Sequence, residues 1–185
     1  MTKNVSENFL VFILYIILFI LQWFLINLFQ DLEFAIAASL IYLPHGLRVI
    51  ATILGGSKIL PGLFLGHVLT GYYMQLNDGS ISNIDLIAIL FTSVGGTLSA
   101  YIAILIIKYS NKNYEGITLI NILILAVISS IINSLASNVT YYIIYKSWEA
   151  YSQFLLFIVG DIMGAILLFY FLKFTYDFIK DKIKP

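Results

Sequence analysis

Long apolar runs separated by short polar segments set the pattern of this chain. A helix needs about 20 mainly apolar residues to cross the hydrocarbon core of a bilayer, which is roughly 30 Å thick. Six runs reach or approach that length, at residues 9–29, 34–54, 59–76, 85–107, 117–142 and 154–174. Because the connections between them are short, the pattern predicts an all-α, polytopic membrane helix bundle that forms one integral-membrane domain over residues 1–185.

Composition strengthens this prediction and excludes several function classes. Hydrophobic residues make up 61% of the chain and charged residues 11%, against about 45–50% and 25% in soluble domains. The chain has no cysteine, so it has neither a disulfide framework nor a thiolate metal site. The sequence contains no phosphate-binding loop, no basic amphipathic surface and no evident pair of nucleophile and base. We therefore expect no nucleic-acid partner and no enzymatic activity.

The first apolar run is predicted to be an uncleaved membrane span. Residues 9–29 form a run of about 21 residues, whereas the apolar core of a signal peptide has about 7–15 residues and is followed by small residues. The bulky side chains of Trp23, Phe24 and Phe29 occupy the end of this run instead.

Lysines are distributed unequally between the two sides that six spans define. Cytoplasmic loops of membrane proteins carry an excess of Lys and Arg. One side would have Lys146 alone, and the other would have eight lysines: Lys3, Lys58, Lys108, Lys112, Lys173, Lys180, Lys182 and Lys184. This asymmetry predicts a multi-pass protein of a bacterial cytoplasmic (inner) membrane with both termini in the cytoplasm.

A few polar or helix-disrupting residues interrupt the apolar runs. Proline removes a backbone donor and clashes with the preceding helical turn, so the second span is predicted to be kinked or broken at Pro44. An arginine near the bilayer centre costs about 2.5–3.5 kcal/mol on insertion scales, and intramembrane ionisable residues are functional candidates by default. The candidate ligand-binding residues are Pro44, His45, Arg48, His67, Asn133 and Asp161.

These polar residues leave two questions open, namely which side chain pairs with Arg48 and whether the residues line a cavity. Arg48 either pairs with Asp161 inside the bundle or extends its guanidinium toward the cytoplasmic surface. In the second case Asp161 finds its partners in His45, His67 or Asn133. Together these residues either line a polar cavity or join the helices through hydrogen bonds without room for a ligand. No His-x-x-x-His spacing is present, so we expect no metal site, and the sequence does not identify a cofactor.

Three short motifs follow one another in the second, third and sixth spans. They are LPHGL at residues 43–47, LPGLFLG at 60–66 and GDIMG at 160–164. In order and approximate spacing they resemble the integral-membrane sensory domain called membrane-associated sensor, first type, of the MASE group. Leu43 and Leu60 stand where that family has tryptophan, and His45 stands where it has a second proline. The resemblance implies a sensory membrane fold of unknown ligand, of the kind used in signal transduction, and it does not imply that this chain itself carries a signalling activity. It also implies a stand-alone, shortened version, because no kinase or cyclic-dinucleotide enzyme follows in this sequence.

Function is therefore predicted at the level of a class. The first hypothesis is a stand-alone sensor-type module that binds an unknown small ligand or a partner membrane or signalling protein within the lipid bilayer. The alternatives are a substrate-capture subunit of an energy-coupling-type vitamin transporter and an accessory subunit of a larger membrane complex. Such capture subunits commonly dock through an Ala-x-x-x-Ala pattern on their first helix. Residues 9–29 contain neither alanine nor glycine, which disfavours the transporter.

Overall fold

The structure is a computed structural model, and it describes residues 3–28, 41–77, 79–110, 118–146 and 150–183. All regular structure in these ranges is helical, which confirms the predicted fold class. The helices are α1 (Lys3–Leu28), α2 (Leu43–Gly55), α3 (Leu60–Asn77), α4 (Asn83–Ser110), α5 (Leu119–Tyr145) and α6 (Ala150–Ile183). A 3-10 turn, Gly56–Ile59, connects α2 to α3.

Five stretches of the described chain are long and apolar enough to cross a membrane. They are Asn4–Leu25, Leu43–Asn77, Asn83–Ser110, Leu119–Tyr145 and Phe154–Lys180. These stretches fit a multi-pass protein in a lipid bilayer. By length and apolarity alone α2 and α3 form one stretch of 35 residues, because only the 3-10 turn separates them. The predicted second span, residues 34–54, lies partly outside the described residues.

Contacts with α1 show that α2 runs antiparallel to it. Near the end of α1, the Gln22 side-chain oxygen accepts a hydrogen bond of 3.1 Å from the backbone N–H of Leu43, where α2 begins. One to two turns earlier in α1, the Tyr15 hydroxyl accepts a bond of 3.1 Å from Arg48, farther along α2. The two helices therefore run in opposite directions.

The next helix, α3, runs parallel to α1. At the start of α1, the Asn8 side chain accepts a hydrogen bond of 2.8 Å from the backbone N–H of Gly62, in the first turn of α3. Near the other end, the Trp23 and Tyr73 rings pack edge to face, with centroids 6.1 Å apart. Because α2 and α3 run in opposite directions along α1, the chain reverses at the 3-10 turn rather than continuing as one straight helix.

The remaining helices continue this alternation. Asp85 in the first turn of α4 accepts a hydrogen bond of 2.7 Å from the hydroxyl of Tyr145, the last residue of α5, so these two helices are antiparallel. The last helix, α6, runs parallel to α2, because Gly160 contacts Tyr42 just before α2 begins and Leu168 shares a core cluster with Leu47. The start of α1, the 3-10 turn and the ends of α4 and α6 consequently lie at one end of the bundle. Four of the described lysines lie toward this end: Lys58, Lys108, Lys173 and Lys180.

Glycines allow the closest helix contacts. A Cβ atom on Gly46 would lie 2.5 Å from the carbonyl oxygen of Gly164, so α2 and α6 meet backbone to backbone. A Cβ on Gly66 would lie 2.8 Å from the Cβ of Tyr15 in α1. Small residues permit such approach in membrane bundles. Since α1 has no glycine or alanine, α3 provides the small residues for their contact.

Pro44 lies in the first turn of α2. Proline is tolerated there because the backbone N–H it lacks would have no partner within the helix. A kink at this position would concern the residues before Ile41, which lie outside the described ranges. The predicted kink therefore stays a prediction.

Candidate functional site

The guanidinium of Arg48 is held inside the bundle by three helices. Arg48 is 1% exposed. Its Nη1 donates to the carbonyl oxygen of Gly96 in α4 and to Oδ1 of Asn133 in α5, each at 3.2 Å, and its Nη2 donates to the Tyr15 hydroxyl in α1. The Tyr15 and Tyr42 rings lie 5.8 Å and 5.3 Å from its central carbon. The side chain therefore does not extend to the surface, and that interpretation is wrong.

Gly96 makes this arrangement possible. A Cβ atom at this position would lie 2.8 Å from Nη1 of Arg48 and 2.5 Å from Cε1 of His67. Any side chain there would displace the guanidinium from the carbonyl oxygen that it binds.

Asp161 is connected to Arg48 through Asn133 instead of contacting it directly. Asn133 donates from Nδ2 to Oδ2 of Asp161 at 2.9 Å, while its Oδ1 accepts from Arg48. Within the described part of the chain, the basic partner of Asp161 in an ion-pair contact is His45, with Nδ1 3.1 Å from Oδ2. The amide thus presents its oxygen to the cation and its nitrogen to the carboxylate, as charge complementarity requires.

His45 continues the chain of polar contacts away from Asp161. Its Nε2 lies 3.2 Å from the Ser129 hydroxyl, which lies 3.3 Å from the Ser99 hydroxyl. The order Asp–His–Ser is that of hydrolase triads. The sequence analysis missed this pair of hydroxyl and base, because the two residues are 84 positions apart. Ser129 is completely buried and does not line the cavity described below, so it presents no nucleophile to a bound molecule.

The imidazole of His67 is held by aromatic stacking. It stacks on the Tyr15 ring with centroids 6.0 Å apart and an interplanar angle of 26°. Its Nδ1 is buried without a hydrogen-bond partner in the described structure. Pro44 is buried in the first turn of α2 and does not reach the cavity, so its contribution is to begin the helix that carries His45 and Arg48.

A polar cavity of about 170 Å³ lies among these side chains. Liquid water occupies about 30 Å³ per molecule, so the cavity has room for several waters or one small molecule. Four predicted residues line it: Arg48, His67, Asn133 and Asp161. The other lining residues were not among the ligand-binding candidates; they are Tyr42, Thr92, Ser137, Tyr141 and Phe157.

Helical spacing could have identified most of these additional residues. Side chains four positions apart lie on one helix face. In α5, Ser137 follows Asn133 by four residues and Tyr141 follows Ser137 by four; in α6, Phe157 precedes Asp161 by four. Tyr42 has no such signal, because it precedes its helix.

A second concavity, a groove of about 420 Å³, lies on the outside of the bundle between α1 and α3. Apolar side chains such as Phe19, Ile20 and Leu69 line it almost completely. Its Thr70 hydroxyl already donates to carbonyl oxygens of α3. Its other polar side-chain atoms are those of the Trp23 indole and the Tyr73 hydroxyl, and none of the residues that line it is charged.

The described residues contain no group of three or more histidine and acidic side chains positioned to hold a metal ion.

The first and third sequence motifs pack against each other, since the Tyr42 N–H donates to the Gly160 carbonyl at 2.8 Å and Gly46 contacts Gly164. No protein-family model matches the chain, and neither the curated proteins nor the solved structures give a significant match. The similarity to the membrane-associated sensor family therefore rests on these motifs alone.

Proposed function

We propose that the protein is a sensor-type integral-membrane module that binds a small polar ligand in the cavity between Arg48 and Asp161. The observation that carries this proposal is a polar cavity with the bundle's buried arginine and buried aspartate both in its wall. Charges inside a membrane are expensive, and they typically face a bundle interior or a water-filled cavity where they serve function.

Unpaired polar atoms support ligand binding over helix packing alone. Buried polar groups in native proteins nearly always have hydrogen-bond partners. Arg48 Nε and His67 Nδ1 are buried without one in the described structure. Both residues line the cavity. Thr52, Ser93 and Thr97 also have buried hydroxyls that are unpaired in the described structure, but they lie outside the cavity wall. The support for ligand binding therefore comes from the position of Arg48 and His67 in that wall.

The last helix supports a signalling role. It carries Asp161 in the cavity wall and continues unbroken to Ile183. Its 34 residues correspond to about 51 Å at 1.5 Å per residue, which exceeds the roughly 30 Å of a hydrocarbon core. A shift of Asp161 on ligand binding would thus move a helix that extends beyond the membrane, where a partner signalling protein would respond to it.

The proposed topology has six spans with both termini in the cytoplasm of a bacterium. Two observations support it: the reversal of the chain at Gly56–Ile59, and the position of Lys58, Lys108, Lys173 and Lys180 toward one end of the bundle. Lys146 lies at the other end, and cytoplasmic ends of membrane proteins are rich in Lys and Arg.

A pair of asparagines in α5 provides the test. Asn133 and Asn138 are each 8% exposed, but Asn133 lines the cavity whereas Asn138 donates to the Ser134 carbonyl of its own helix. We would screen small polar compounds for thermal stabilisation of the purified protein in detergent. Asn133→Leu should abolish the stabilisation by a ligand, and Asn138→Leu should retain it. If no compound stabilises the wild-type protein, while Asn133→Leu only lowers its stability, the polar residues hold helices together and the proposal fails.

A further inference from the structure

We propose that the ligand is a small zwitterion that directs a carboxylate to Arg48 and an ammonium group to Asp161. This inference rests on the proposed function and specifies the chemistry of the molecule that the cavity accepts. It depends on the hydrogen-bonding capacity that each charged side chain has left, and on the net charge of the cavity wall.

Arg48 retains donors on its guanidinium. The group has five N–H donors, and the described structure uses three, toward Gly96, Asn133 and Tyr15. Nε is buried without a partner. Guanidinium groups bind carboxylates through two parallel N–H donors with high geometric specificity. Because Arg48 lines the cavity, a carboxylate there would be bound through guanidinium donors that the protein leaves unused.

Asp161 retains acceptor capacity. Within the described structure its contacts with Asn133 and His45 are both made by Oδ2, which leaves Oδ1 for a further donor. An ammonium group is a compact cation with donors only, so it suits this oxygen. The Phe157 and Tyr141 rings also line the cavity, and aromatic faces attract cations within about 6 Å.

Net charge distinguishes a zwitterion from a simple ion. One buried cation and one buried anion line the cavity, and Asn133 between them prevents direct pairing. A ligand with a single charge would bring an uncompensated charge into a region of low dielectric, which is strongly unfavourable. A molecule with one charge of each sign keeps the site neutral and gives each buried charge an opposite partner.

The experiment uses the full chain in detergent and measures binding by calorimetry and thermal unfolding. The probes are a panel of small L-amino acids, each with its N-acetyl derivative, which lacks the ammonium charge, and its carboxamide, which lacks the carboxylate. At least one amino acid should bind, and each of its two derivatives should bind about tenfold more weakly or worse, since a charge-assisted hydrogen bond is lost.

Variants locate the two charges. Asp161→Asn should weaken binding of the amino acid about tenfold or more while weakening the N-acetyl derivative much less. Arg48→Lys should also weaken the amino acid, because lysine keeps the charge but lacks the planar pair of donors. Asp85→Asn, at a carboxylate whose contacts with Ser82 and Tyr145 lie outside the cavity, should leave affinity unchanged.

Two outcomes would overturn the inference and are distinguishable from failure of the proposed function. If a derivative binds as tightly as its parent amino acid, or if only neutral or singly charged compounds stabilise the protein, the ligand is not a zwitterion but the cavity still binds a ligand. If no compound of any class binds, both proposals fail. Should Asp161→Asn not fold, discrimination among the three forms of each amino acid by the wild-type protein decides the question.

Discussion

Arg48 and Asp161 remain buried because each has several partners on other helices. Arg48 interacts with Tyr15, Gly96 and Asn133, and Asp161 interacts with Asn133 and His45. Asn133 belongs to both sets, so the two opposite charges are linked through one side-chain amide. The energetic consequence is that removal of either charge leaves the other without its counterpart in the membrane interior.

This link predicts strong coupling between the two residues. Arg48→Gln and Asp161→Asn should each lower the free energy of unfolding by roughly 3–5 kcal/mol, because each leaves an uncompensated buried charge. The double variant should be more stable than the sum of the two effects implies, since neither charge is then left alone. Thermal unfolding in mild detergent measures all four proteins. Strictly additive effects would mean that the two residues are energetically independent.

The sequence indicated which polar residues line the cavity more reliably than it indicated which atoms they contact. Residue type and depth in an apolar run are visible in the sequence, and they identified Arg48, His67, Asn133 and Asp161, which all line the cavity. A direct pair of Arg48 with Asp161 was one of two interpretations that the sequence left open, and in the structure the two side chains are linked through the Asn133 amide instead. Helix rotation and tilt decide such contacts, and neither follows from hydropathy.

At the scale of helices, the contact of α2 with α6 determines where the site residues meet. Gly46 and Gly164 allow the two backbones to touch, and this places His45 of α2 beside Asp161 of α6. Both glycines lie in motifs that are visible in the sequence, LPHGL at residues 43–47 and GDIMG at 160–164. The contact between these two motifs could not be predicted, because pairing between distant helices leaves no periodic signal in either of them.

Gly164→Ala should disrupt this contact. The nearest atoms to a Cβ at this position belong to the backbone of Tyr42 and Leu43, which cannot move aside as a side chain can. Overpacking of this kind costs typically about 1–3 kcal/mol, so we expect a lower unfolding temperature in detergent.

Gly71→Ala is the matched control for that substitution. Its Cβ would meet the Cγ2 methyl group of Ile89 at 3.2 Å, and a side-chain methyl can shift. Alanine also gains up to about 1 kcal/mol over glycine in a helix, so this variant should be close to wild type. Equal losses for both glycines would contradict the assigned importance of the contact between α2 and α6.

At the scale of the molecule, alternation of helix direction supports the six spans that we propose. A straight crossing by Leu43–Asn77 would place the 3-10 turn in the middle of the membrane. The contacts of α2 and α3 with α1 instead place this turn at the end where α1 begins. Hydropathy alone merges the two helices because no polar segment of any length separates them. The unequal distribution of lysines, with Lys58 in the turn, was the sequence signal that supported separate spans independently of hydropathy.

Cysteine labelling tests this topology, and the absence of native cysteines makes each introduced thiol unique. Single variants Ser6→Cys, Ser57→Cys and Ser80→Cys in intact cells would be treated with a membrane-impermeant thiol reagent before and after permeabilisation. Positions 6 and 57 should react from the cytoplasmic side, and position 80 from the outside. A Ser57→Cys protein that stays unreactive on both sides would indicate that residues 43–77 cross the membrane once.

The partners of Arg48 also constrain how the protein is made. Tyr15 precedes Arg48 by 33 residues, whereas Asn133 follows it by 85. Ribosomes add about 5–20 residues per second, so roughly 4 to 17 s separate the synthesis of Arg48 from that of Asn133. Gly96 of α4 follows Arg48 by 48 residues, so the partners of the arginine on α4 and α5 are both synthesised after it. Tyr15 of α1 and the Tyr42 ring precede Arg48 in the chain and are therefore the first partners available to the guanidinium. The first helix contributes no residue to the cavity wall, but it provides a partner for the Arg48 guanidinium before the later helices enclose that charge.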